Sequence, residues 1–177
     1  MIGELSRAKN RVESGKPLLY IGADPGGSGA FAVLDAVTAA IQTFAFQTVK
    51  ARGRGRELVW APACDWLDET APTYLRAHAI IEKVGARPGN GGSSMFKFGA
   101  GAGAIQGIMA QRRTPVTYVT PAVWKAHFKL LGRDKGASRA RACELFPMYA
   151  RLFARAKDDG VAEAALLAKY GYDKGLA

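Results

Sequence analysis

Two apolar segments of strand length each end on a carboxylate, and this placement constrains the chain more than any other feature. Leu18-Leu19-Tyr20-Ile21 runs into Asp24-Pro25-Gly26-Gly27-Ser28-Gly29, and Ala79-Ile80-Ile81 runs into Glu82. An apolar run followed by a Pro/Gly cluster reads as a strand entering a tight turn. Glu82 closes a strand of central character, where an unpaired carboxylate costs several kcal/mol or takes up a proton. Each acid also has a plainer explanation. Asp-Pro-Gly is ordinary turn chemistry, and a glutamate at a strand end can simply face solvent.

Asp159 and Glu163 stand four apart at the start of the last helical segment, so both project from one helix face. Either one alone is accounted for by the helix dipole, which favours acids there by about 0.3–1 kcal/mol. Four acids at or near the ends of regular elements ask for more. Carboxylates brought together repel, and divalent cations with hard oxygen preferences resolve that repulsion. A pair of such ions about 3.5–4 Å apart would clamp both oxygens of an in-line phosphoryl displacement.

The rest of the pattern gives an α/β chain. After the first strand, Ala30–Leu34 and Ile41–Val49 read as two more, the latter with Phe44 and Phe46 on one face. The short connections make these three an antiparallel meander. Pro62 opens a helix with Ala63, Trp66, Leu67 and Thr70 on one side. Ala77–Val84 is the fourth strand, Ser93–Arg113 a helix and Val116–Val119 the fifth strand. Thr120-Pro121 and Ser138 mark two further helix starts, and the closing helix spans about Asp158 to Tyr170. We therefore expect a five-stranded mixed sheet flanked by helices. Residues 1–16 read as a polar extension with a turn or two of helix, and residues 17–177 as a single domain.

A chain with 25 Lys and Arg against 15 acids carries a net charge of +10, which points to a polyanionic partner. The basic residues gather in Lys50–Arg56, at Arg112-Arg113 and across Lys125–Arg141, all outside the apolar segments. No apolar run spans a bilayer, residues 1–16 lack the apolar stretch of a secretory signal, and two separated cysteines exclude a disulfide framework or zinc module. These features lead us to expect a protein of a reducing, cytoplasmic compartment, with no membrane partner and no small-molecule cofactor.

Four motifs in register carry a family resemblance. Ile21-Gly22-Ala23-Asp24-Pro25-Gly26 resembles the first-strand motif of the RuvC family, and Ile80-Ile81-Glu82-Lys83-Val84 its second acidic strand. Ser93-Ser94-Met95-Phe96-Lys97-Phe98-Gly99 is similar to the helix that follows, and residues 159–168 to the closing helix, especially in phage-type and organellar branches. The resemblance implies a ribonuclease H-like fold and a homodimeric Holliday junction resolvase. It would nick four-way DNA symmetrically with two Mg²⁺ or Mn²⁺ ions held by Asp24, Glu82, Asp159 and Glu163. It also implies functional lysines at Lys125 and Lys135, the latter catalytic, beside phosphate contacts from Arg52, Arg54, Arg112 and Arg113. Three features depart from the family: Gly160 stands where many members carry an acid three before the last one, no aromatic follows Glu82, and the N-terminal extension is unmatched. Phe96 and Phe98 are candidates for the missing aromatic contact, and Asp158 should point away from the site.

Gly99, Gly103 and Gly107 recur every fourth residue of a helix, each costing roughly 1 kcal/mol relative to alanine. Close approach of another backbone explains them, either the underlying sheet or a partner subunit; the resemblance implies a dimer contact, with Ile105 and Ile108 nearby. They lack the spacing of a dinucleotide fingerprint. His78 and His127 carry no assigned role, and Trp60, Trp66 and Trp124 read as packing residues. Three other readings remain beside the resolvase. An actin-like ATPase needs two ribonuclease H-like halves and the chain supplies one. A related nuclease would act on flapped DNA or RNA with the same acids, and a non-catalytic DNA-binding module would not need all four.

Overall fold

The computed structural model describes residues 2–52, 55–73, 75–83, 85, 91–134 and 136–177, the side chains of 2, 93 and 94 excepted. The expected sheet is present. Its strands are β1 (Leu19–Asp24), β2 (Ala30–Asp35), β3 (Ile41–Ala45), β6 (Ala77–Glu82) and β7 (Val116–Val119), in the order β3-β2-β1-β6-β7. The first three form an antiparallel meander, and β6 and β7 run parallel to β1. The third strand is shorter than the alternation suggested. It breaks at Phe46, and the chain enters a separate hairpin of β4 (Gln47–Lys50) and β5 (Arg56–Val59). Phe44 and Phe46 still share a side: Phe46 packs on Phe31 and Trp60 with ring centroids 4.9 and 5.1 Å away, and Phe44 on Trp66 at 5.6 Å.

Because β1 lies mid-sheet, both of its faces are covered. Ile21 and Ala23 join Phe31, Val33, Ala79 and Ile81 against α2 (Ala61–Thr70) and α3 (Gly92–Gln111), which contribute Leu67, Ile105 and Met109. Tyr20 and Ile80 face the other way, onto α6 (Asp159–Lys174), α4 (Pro121–His127) and α5 (Ala137–Leu145). Side chains alternate along a strand, so Asp24 and Glu82, two steps beyond Gly22 and Ile80, emerge on the α6 side. That helix lies directly on β1: a Cβ at Gly22 would overlap the Ala164 carbonyl. The close seat brings the first turns of α6 to the C-terminal ends of β1 and β6.

At the N-terminus, α1 (Ile2–Glu13) is longer than a turn or two. Arg11 ties it to the domain, donating from Nε to Pro17 O at 2.8 Å and from its guanidinium to Tyr20 Oη at 3.0 Å, and lying over the Tyr172 ring. No helix among the described residues is long and apolar enough to cross a membrane.

Candidate metal centre and nucleic-acid groove

Asp24 is the last residue of β1, and its turn role and its position in the site coexist. Oδ1 accepts the Gly26 N–H at 3.0 Å, an Asx-type closure of the turn. Glu82 ends β6 one strand away, and Glu163 reaches in from the second turn of α6. Asp24, Glu82 and Glu163 each offer an oxygen within 4.8 Å of the other two. Lys125, from α4, lies 3.0 Å from Glu163 Oε1, and Ser138 Oγ donates to the same oxygen at 3.2 Å. Both contacts fall on Oε1.

The electrostatics reflect this crowding. Burial first, then the charge of Glu163, pushes Asp24 up to about 6, while the Gly26 N–H and Lys125 pull it down. Burial, then Asp24 and Glu163, pushes Glu82 up to about 7 against the pull of Lys125. Three acids with one nearby ammonium are short of positive charge. Their donor set is entirely carboxylate oxygen, which suits Mg²⁺ or Mn²⁺.

Asp24, Lys125, Arg133, Ser138, Asp159 and Glu163 line an open groove of about 430 Å³. Glu82 is not on the wall of that groove; it borders a separate hollow of about 250 Å³ together with Lys83, Gln106 and Tyr118. The β4–β5 hairpin belongs to the same end of the molecule. A Cβ at Gly101 of α3 would lie 3.1 Å from Pro25 O and 3.7 Å from Leu58 of β5. Arg52, in the hairpin loop, is exposed. Arg54 and Lys135 lie outside the described residues.

The fourth acid stands apart. Asp159 lines the groove but is not among the converging carboxylates; Arg139 Nε donates to its Oδ1 at 2.6 Å. Asp158 points elsewhere, as expected. Its buried carboxylate takes the backbone N–H of Arg155 at 2.9 Å and the guanidinium of the same residue. That pairing holds it below the usual carboxylate range.

Arg112, a candidate phosphate contact, is not free to meet one. It is buried at 7% exposure, ion-paired with Asp68, and caps the C-terminus of α2 by donating to the Leu67 and Ala71 carbonyls. Arg113 is exposed but follows α3 toward the start of β7, at the end of the sheet away from the acids. A pair of arginines in sequence signals charge, not the end of the sheet on which it falls. Ile105 is also not available to a partner, being fully buried against the sheet. Gly99, Gly103 and Gly107 are exposed, with nothing within 4 Å of a Cβ added at any of them, so their face does not serve the chain's own sheet. Phe96 is 78% exposed on the same helix.

Sequence reasoning missed Ser138 and Arg139 as site residues. Ser138 looked like a helix start, yet α5 begins at Ala137 and the hydroxyl is spent on Glu163. Arg139 was one basic residue in a basic run. Only the packing of α5 on α6 selects it.

No protein-family model matches the sequence, and no curated protein matches it. Solved structures do. The Thermus thermophilus RuvC structure superposes with a TM-score of 0.52 at 12% identity, covering 88% of this chain and 96% of that one. T. thermophilus RuvC in complex with Holliday junction substrate gives 0.50 at 15% identity, covering 85% and 90%. At these identities the likeness speaks for the backbone, and on that ground the chain has a RuvC-like fold of the ribonuclease H-like class.

Proposed function

We propose that the chain is a divalent-metal-dependent endonuclease that resolves four-way DNA junctions as a homodimer. The observation that carries this reading is the convergence of Asp24, Glu82 and Glu163 beside an open groove, on a fold shared with RuvC. One of the matching structures is RuvC with a Holliday junction substrate, which makes branched DNA the first substrate class to test.

In this reading Asp24, Glu82 and Glu163 hold Mg²⁺ or Mn²⁺, with Asp159 as the further ligand for a second ion. The metal supplies Lewis acidity to the scissile phosphate and the attacking water. The chain's own residues do the rest. Lys125 offsets charge at Glu163 and can meet a non-bridging phosphate oxygen as negative charge develops there. Ser138 keeps the Glu163 carboxylate turned toward the other acids. Lys135 is proposed as a second transition-state cation, from the resemblance alone. Arg52 and Arg54 serve as phosphate contacts that position DNA without reading sequence. Cutting two equivalent strands in concert calls for two sites related by a two-fold axis. The bare glycine face of α3 is the surface we assign to that contact.

The test compares a four-way junction, a flap and an RNA–DNA hybrid of matched length, with Mg²⁺ and with chelator. We expect metal-dependent paired nicking of the junction, leaving 5′-phosphate and 3′-hydroxyl ends. Preferential cutting of the flap or hybrid would replace the substrate assignment. No cutting of any of them would overturn the nuclease reading.

A further inference from the structure

The closing helix can offer the metal centre only one acid beyond Glu163, and the reason lies in its contact with the first turn. A Cβ at Gly160 would overlap the Ser28 carbonyl and sit 3.0 Å from Asp24 Oδ2. No side chain fits three residues before Glu163. Asp159, one turn before Glu163 on the same face, is the remaining candidate, and it is already engaged. Arg139 reaches it from α5, Nε to Oδ1 at 2.6 Å, with the two side chains 24% and 45% exposed. Three acids converge and the fourth stands at the groove wall.

We propose that Arg139 is a positioning residue: it withholds Asp159 from the metal centre in the DNA-free protein and releases it when a DNA phosphate takes the guanidinium. This rests on the metal-dependent reading above. An ion pair so open to solvent is weak, so it sets where Asp159 rests without locking it there. A phosphodiester offers the guanidinium two non-bridging oxygens for a bidentate pairing, where Asp159 holds it by a single oxygen. The Asp159 carboxylate, left without its cation beside three other acids, then has a second divalent ion as its natural partner. The site holds one ion while idle and two when a substrate backbone lies in the groove.

The probe is Mn²⁺ titrated into DNA-free protein, with bound ions counted by loss of the free-ion spin-resonance signal and by calorimetry. We expect one ion for wild type and for Arg139→Lys, two for Arg139→Gln, and one for Arg139→Gln combined with Asp159→Asn. With a junction whose bridging oxygens at the crossover are replaced by methylene, wild type should hold one ion more than Asp159→Asn. In the absence of DNA these two should hold the same number. Two ions in DNA-free wild type, or one in Arg139→Gln, would overturn the role of Arg139 while leaving the metal site standing. An equal count for wild type and Asp159→Asn on the junction would overturn the release step. No bound ion in wild type would overturn the metal site itself and this inference with it.

Discussion

Removing a single carboxyl charge at Glu82 should reshape the pH dependence of stability in the metal-free protein. In the unfolded chain Glu82 titrates near 4.5, and in the fold it is pushed up to about 7 by burial and by Asp24 and Glu163. Below pH 4.5 both states hold the proton and the fold loses nothing. As pH rises, the unfolded chain releases its proton first, so stability falls until the folded group ionises near 7. At about 1.4 kcal/mol for each step of one in pKa, the loss is about 3 kcal/mol at most, and closer to half that once the partial exposure of the site is allowed for. For a domain of this size that is a fall in Tm of about 3–10 °C between pH 4.5 and 8. His78 contributes the opposite slope below pH 6.5, because burial lowers its pKa; it cancels when wild type and Glu82→Gln are compared. The assay is thermal unfolding in chelator across that range. Glu82→Gln should flatten the decline by the amount given, and Mg²⁺ at pH 8 should raise the Tm of wild type but raise that of Glu82→Gln much less. Parallel profiles for the two proteins would refute the reasoning, since Glu82 would then carry no strain from its neighbours.

Asp24→Asn, Glu82→Gln and Glu163→Gln should each abolish junction cleavage in a nicking assay while leaving gel-shift affinity equal or tighter; near wild-type cutting by any of them removes that residue from the ligand set. Lys125→Ala and Lys135→Ala should slow single-turnover cleavage more than they weaken binding. Arg52→Ala and Arg54→Ala should weaken binding and flatten its salt dependence; Arg113→Ala, at the far end of the sheet, should change neither. Gly103→Leu has open space for its side chain and gains about 1 kcal/mol of helix propensity, so it should fold well yet scatter light as a monomer; an unaltered dimer would clear the glycine face of the contact. Arg112→Ala should cost about 2–4 kcal/mol in denaturant unfolding, because it leaves the last carbonyls of α2 without their donor and removes a buried side chain. A surface-like loss of a few tenths would contradict its burial.

Most strands of the main sheet and the positions of the acids were legible in the sequence, because these are local signals. A short continuous apolar run bounded by turn or polar residues specifies a strand and its end. Such signals sufficed for β1, β2, β6, β7 and the two acid-bearing strand ends. The break at Phe46 was not legible, since nothing local distinguishes one long edge strand from two short ones; the difference is made by Phe46 turning into the packing of Phe31 and Trp60. The same limit governed the charges. Arg112 and Arg139 are indistinguishable as sequence, each one basic residue in a basic stretch. One is consumed by the end of α2, and the other stands across from Asp159. Which acids converge was also left to tertiary structure. Spacing of four put Asp159 and Glu163 on one helix face, but only the seat of α6 on Gly22, the Ser28 carbonyl beneath Gly160 and the reach of Arg139 separate the acid that joins Asp24 and Glu82 from the one that does not. Periodicity is a property of one segment. Convergence depends on distances between segments remote in the chain, and packing alone sets those.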